Sequence, residues 1–165
     1  MKLFSSGLEM STSLPLTGVE TYIFRIIPQM TIKAGSVVQL SVQAEVTNPY
    51  QFNIGVGRAI YSHSSGYISK PCMDNVIPAT HHKVVVHHAV EQFLQDTDKA
   101  FWIFTMWAVS EGHTGNLIVE SNYGEMTALV HEPVAEILND LKWKKLINGL
   151  NLIIEEISNT FINME

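Results

Sequence analysis

Val37-Val38-Gln39-Leu40-Ser41-Val42-Gln43-Ala44-Glu45-Val46-Thr47 decides the fold. Val38, Leu40, Val42, Ala44 and Val46 alternate with Gln39, Ser41, Gln43, Glu45 and Thr47. Successive side chains of an extended chain point to opposite faces, so this period of two describes a half-buried antiparallel strand with one wet face. The strand is bounded on both sides. Lys33-Ala34-Gly35-Ser36 reads as the turn that leads in. Asn48-Pro49 closes it, because the residue before proline is pushed out of the helical region and the ring has no N–H to give a ladder.

Working outward, the same period recurs between punctuating turns. Glu20 to Ile27 runs to Pro28, and Met30 to Ile32 is a shorter piece. Gln51 to Tyr61 alternates through Phe52, Ile54 and Val56, with Gly55 and Gly57 inside it. Glycine there marks a bulge or a close approach of another group; Gly55-Val56-Gly57 lacks the third glycine and the following helix of a phosphate loop. Ser62 to Thr80, with Gly66, Pro71 and Pro78, reads as a long loop or short edge pieces, a place for recognition. His82 to Phe93, Ala100 to Ser110, Asn116 to Glu120 and Met126 to Val130 complete the set. Seven or eight strands with no helix between them predict a mainly β fold, an antiparallel two-sheet sandwich. Phe101-Trp102-Ile103-Phe104-Thr105-Met106-Trp107 is apolar on both faces, so the reading expects cover on both: the facing sheet on one side, a helix or a neighbouring subunit on the other.

At Pro133 the period changes. Proline suits a first helical turn, and Glu132 and Glu136 suit the positive end of the helix dipole. Val134, Ile137, Leu138 and Leu141 make one stripe that then lands on Lys145. From Trp143 the apolar set is Trp143, Ile147, Leu150, Ile154, Ile157 and Phe161, at steps of four and three. That is a heptad seam, and isoleucine at both kinds of core position favours trimers or tetramers over dimers. Asn148-Gly149 argues for a helix in two parts, since glycine costs about 1 kcal/mol relative to alanine. Packing of such a two-part helix on its own sandwich is the competing expectation. The expected organisation is an N-terminal extension over 1–18, a sandwich over 19–132 and a C-terminal helical segment for oligomerisation or packing over 133–165.

Composition limits the function. The 165 residues are 46% hydrophobic and 16% charged, with 16 acids against 10 bases and a formal charge of −6. A chain of this size buries about two-thirds of its unfolded surface as one domain. A nucleic-acid coat needs clustered Lys and Arg, and the one short basic run is Lys142, Lys144 and Lys145, so no nucleic-acid partner is expected. Cys72 is the only cysteine, which excludes an internal disulfide and a multi-cysteine metal site; it reads as a small buried apolar group. Met1 to Leu14 lacks the apolar run of a signal peptide, and no stretch is long enough to span a membrane. Synthesis in the cytoplasm is the expectation, with a virion as a later destination.

Seven histidines invite a metal site. On a strand, His82 and His88 fall on one face and His81 and His87 on the other, and six residues of strand separate two side chains by roughly 20 Å, too far to share an ion. A mixed set of His87, His88 and Glu91 with unnamed donors is the remaining metal-dependent reading. His-x-His and Gly-x-Ser-x-Gly are absent, so no catalytic residue is assigned and no cofactor is expected. Arg25 and Arg58 read as cross-sheet partners of carboxylates. Trp102 and Trp107 read as core or interface. Tyr61, His63 and Tyr67, in or beside the Ser62 to Ile68 loop, are the candidates for contact with a ligand such as a glycan.

Val37 to Val46, then Asn53-Ile54-Gly55-Val56-Gly57-Arg58-Ala59-Ile60, then the return to Phe101-Trp102-Ile103-Phe104-Thr105 together resemble the tumour-necrosis-factor-like jelly rolls and related trimeric β-sandwich domains of phage and viral fibre or decoration proteins. The likeness is one of pattern over about Val19 to Val130. It implies a jelly-roll-like sandwich and a trimer with apolar strand faces at the axis and loops presented outward. The final helical segment departs from it. The leading expectation is a non-enzymatic structural or adhesive homo-oligomer, a trimer first, of a phage or viral particle, with itself, glycans or other particle proteins as partners. A carbohydrate-binding module and a metal-dependent jelly-roll enzyme are the alternatives.

Overall fold

The computed structural model describes residues 1–69 and 71–163, so positions 164 and 165 of the expected helical segment lie outside the described residues, as do the side chains of Ile137 and Leu138 from its first stripe. The chain forms two compact units, 1–131 and 132–165.

The first unit is built by nested pairing. β1 (Lys2–Gly7) pairs with β11 (Glu125–His131), and β2 (Thr12–Pro15) with β10 (Asn116–Val119). Next inward, β3 (Thr21–Ile26) pairs with β9 (Trp102–Val109), then β4 (Val37–Thr47) with β8 (His82–Gln92). Innermost, β5 (Ile54–Ser62) pairs with β6 (Gly66–Tyr67) and β7 (Cys72–Ile77). The β1–β11, β2–β10 and β4–β8 pairs fall into one sheet, and the β3–β9 pair and the β5 pairs into the other. β4 joins β11 and β10 in one, and β9 joins β5 in the other. Folding one long nested hairpin into two facing sheets is the jelly roll, which leaves few free edges.

The alternation of β4 is realised as read. Val38, Leu40, Val42, Ala44 and Val46 are buried, and the residues between them are exposed or half-exposed. Across the sandwich they meet the inner face of β9, where Trp102, Phe104, Met106 and Ala108 are all inaccessible. Each large side chain in this layer contributes roughly 1.5–3 kcal/mol by leaving water. The Asn48-Pro49 corner is held by the Asn48 side chain. Its Nδ2 donates to the carbonyls of Phe52 at 2.7 Å and of Ile77 and Pro78 at 3.1 Å, and its Oδ1 accepts from Tyr50 N at 3.0 Å. The Lys33 to Ser36 turn, with Gly35 at φ 85°, is tied to residue 96. Asp96 accepts from Ala34 N at 2.9 Å and meets Lys33 Nζ at 3.3 Å, and these two contacts, the backbone one first, hold its carboxyl below the ordinary 3.8.

Two expectations, on residues 1–18 and on the C-terminal helix, are corrected. Residues 1–18 are not an extension ahead of the sandwich, because β1 and β2 pair into its sheet. Side chains within the first unit already shelter the outer face of β9. Ile103 and Thr105 are only 6% and 2% exposed, sheltered by side chains of their own sheet, and Trp107 lies across Gly57 directly opposite it in register. The C-terminal segment is not a helix in two parts: α1 (Val134–Ile162) runs 29 residues without a break, with Pro133 at its N-cap in extended conformation. Gly149 has open space where a Cβ would stand, so it costs the helix without obstructing it.

Gly57 is therefore a packing residue. A Cβ there would stand 1.9 Å from Trp107 Cε2. Gly57→Ala is expected to displace the indole and lower stability by about 1–3 kcal/mol, lowering the melting temperature by several degrees in a thermal unfolding scan; Gly149→Ala is expected to raise helix stability by about 1 kcal/mol.

Candidate functional site

β8 alternates, so its three candidate ligands do not converge. Val85, His87 and Glu91 face inward, and His88 stands exposed on the other face with Val84, Val86 and Val90. The proposed set of His87, His88 and Glu91 is thus split across a sheet. No group of three or more His, Cys, Asp or Glu placed to hold a metal ion occurs among the described residues.

The two inward groups are bound into the structure. Arg58 Nε donates to His87 Nδ1 at 3.1 Å, which leaves the proton on Nε2, and Nε2 donates to Ser69 Oγ at 2.8 Å. Arg58 therefore reaches a histidine on the facing sheet, an acceptor that the sequence reading did not name. Glu91, only 4% exposed, accepts from Ser62 Oγ at 2.7 and 2.8 Å, from Ser65 Oγ at 2.6 Å and from Trp102 Nε1 at 2.6 Å. Neutral donors satisfy a buried carboxylate here, as burial requires. The effect is mechanical. Ser62 and Ser65 bracket the turn between β5 and β6, so Glu91 fastens that hairpin to β8 and β9.

The hairpin carries Tyr61 and Tyr67, which meet edge to face with ring centres 5.7 Å apart and planes at 82°. His63 leaves this pair and stacks on Phe101 at 4.6 Å. On the outer face of the sheet, Tyr67, Tyr61 and Ile103 stand opposite one another in register, and Tyr22 stands opposite Thr105. Together with Glu20 and Phe101 they line a cleft of about 580 Å³. Glu20 sits between strands: Tyr67 Oη donates to its Oε2 at 2.7 Å and Thr105 Oγ1 to its Oε1 at 2.5 Å. Donation to that carboxylate is the main reason the Tyr67 phenol is held above its ordinary value of 10. Glu20 and Tyr22 are the site residues that sequence reasoning missed. The doubly apolar pattern of β9 was the available signal, since it required aromatic neighbours on its outer side.

The seam residues share one unbroken helix. Trp143, Ile147, Leu150, Ile154, Ile157 and Phe161 are each more than half exposed. Leu146 and Ile153, one step ahead of Ile147 and Ile154, widen the stripe, while Asn148 and Gly149 occupy positions away from it.

No protein-family model matches the chain, and no curated protein matches it. Solved structures do resemble its fold. A chain of the viral particle of infectious bursal disease virus superposes with a TM-score of 0.57 at 10% identity, over 77% of this chain and 30% of that one. VP2 of the same virus, in a subviral particle, gives 0.53 at 12% identity over 77% and 32%. The chain spans under a third of the length of these proteins. The sandwich shares its jelly-roll fold with these two viral-particle chains.

Two outcomes follow from the contacts. Glu91→Ala strands the Trp102 indole N–H and the Ser62 hydroxyl, and is expected to cost about 2–4 kcal/mol in chemical denaturation. In an ultraviolet difference titration against Tyr67→Phe, the Tyr67 phenol is expected to ionise above pH 10, and Glu20→Gln is expected to bring it down. Because the folded state favours the protonated phenol, its contribution to stability is present below the unfolded value and is lost as pH rises through the raised one.

Proposed function

We propose that this chain is a non-enzymatic structural subunit of a viral or phage-like particle, and that it associates with copies of itself, as a trimer, along the α1 seam. The observation that carries this reading is the stripe from Trp143 to Phe161, whose heptad steps stay in register over an unbroken helix. Ile147, Ile154 and Phe161 occupy one kind of core position, and Trp143, Leu150 and Ile157 the other. A lone helix has no means of covering such a stripe with its own side chains. Burial at about 1.5–3 kcal/mol for each large apolar residue outweighs the entropy lost on association when several residues per chain take part. Leu146 and Ile153 broaden the contact beyond a two-stranded seam, which favours three strands over two.

A bilayer is a poor alternative cover. Lys142, Lys144, Lys145, Glu155 and Glu156 interrupt the helix, and no described helix is long and apolar enough to cross a membrane. Two further points support a structural role. The fold is shared with proteins that form the particles of infectious bursal disease virus. The acid and base groups first suspected of chemistry, His87 and Glu91, are engaged in holding the sandwich together.

Sedimentation velocity at micromolar concentration tests this. The full chain is expected at three times its 18.5 kDa protomer mass. Leu150→Lys combined with Ile154→Lys is expected to leave a monomer whose sandwich unfolds at an unchanged temperature. A folded wild-type monomer, or an unchanged mass in the double variant, overturns the proposal.

A further inference from the structure

The cleft on the outer face of the β3, β9, β5 and β6 sheet has a polar and an aromatic half, and its residues play no part in the heptad seam. We propose that it binds a neutral saccharide, one or two sugar rings seated against Tyr22, Tyr61 and Tyr67 with hydroxyls donating to Glu20. The inference goes beyond the assembly reading and does not rest on it.

The size and lining select the ligand class. A cleft of about 580 Å³ is within the range of small-molecule sites. Its floor, Ile103 and Thr105, is already buried, so the apolar surface on offer is that of the rings. Tyr22 is 72% exposed and Tyr67 50% exposed. Tyr61 and Tyr67 present faces at 82° to each other, which suits a ligand whose C–H faces point in more than one direction. A pyranose has such faces, and an aromatic ring carries negative density toward them.

Glu20 supplies the complementary half. Each of its oxygens accepts one hydroxyl hydrogen bond, from Tyr67 and from Thr105, which fixes the carboxylate while each oxygen retains acceptor capacity. Sugar hydroxyls are donors, and bonds to an ionised acceptor are the stronger kind. The carboxylate also sets the sign of the ligand. No lysine, arginine or histidine lines the cleft among the described residues, and Arg25, opposite Ile103 on β3, stands outside the lining. Phosphates, sulfated glycans and acidic sugars meet repulsion there.

The site is also held in advance of binding. Glu91 fastens Ser62 and Ser65 at the turn of the hairpin that carries Tyr61 and Tyr67. Less conformational freedom is then lost when a ligand binds.

Saturation-transfer NMR on the full chain, with oligosaccharides ending in glucose, galactose, mannose or N-acetylglucosamine, tests the proposal, with sialylated and sulfated glycans as the opposing set. At least one neutral sugar is expected to bind at millimolar or lower concentration. Tyr22→Ala and Tyr67→Ala are each expected to weaken it about tenfold, and Glu20→Gln about fivefold. Tyr67→Phe keeps the ring and loses the tether to Glu20, so it reads the site even where the alanine variant fails to fold. The Leu150→Lys and Ile154→Lys double variant is expected to bind the same sugar, which separates this test from that of assembly. No transfer to any neutral sugar, binding confined to the acidic set, or full affinity in the folded Tyr22→Ala and Tyr67→Phe variants overturns it.

Discussion

Apolar surface has to be covered, and two elements of this chain present it on more than one side. β9 solves the problem inside its own unit. Its inner side chains meet the facing sheet, and its outer ones are roofed by the tyrosines of β3, β5 and β6 and by Trp107 lying over Gly57. The roof is what makes the cleft: rings close enough to shelter Ile103 and Thr105 also stand with their far faces in water. α1 has no such remedy, because side chains on one face of a helix point along that face and cannot fold across it. Its stripe needs another helix or another surface, and in the proposed assembly the heptad spacing is met by another helix of the same kind.

Nested pairing explains how distant residues come to share a cleft. Glu20 and Tyr22 lie some forty positions from Tyr61 and eighty from Ile103, yet the β3 to β9 and β9 to β5 ladders place them on one face. The same topology brings Glu91 beside Ser62 and Trp102. A buried carboxylate with neutral donors is a costly group to keep, and its position at the turn of the β5–β6 hairpin gives the cost a purpose: the tyrosine pair is mounted on a fixed support.

The sandwich was legible where one strand carried a complete local signal. Val38 to Val46 states its own period, and Asn48-Pro49 states its own end. Lys2 to Pro15 states neither. β1 lies at the border of its sheet and buries little, and β2 offers only Leu14 as a buried residue, so their membership depends on partners more than a hundred residues away. The helix was legible in period but not in continuity. Asn148 and Gly149 are a breaker pair by composition; standing off the stripe, they leave its spacing intact. Of the site, Tyr61 and Tyr67 were visible because the loop between them is polar and glycine-bearing. Glu91 was visible for the wrong reason: a charge in an apolar run looks like a ligand, whereas only its three donors reveal it as a fastening. Glu20 carried no local mark at all, since its role is set by hydroxyls from two other strands.

The measurement closest to the central claim is an isotope-filtered NOE experiment on an equal mixture of methyl-labelled and unlabelled full-length chains. Cover of the stripe by sibling helices predicts inter-chain NOEs from the methyls of Leu150 and Ile154 to the corresponding residues of another copy. NOEs from those methyls to protons of their own chain alone would contradict it.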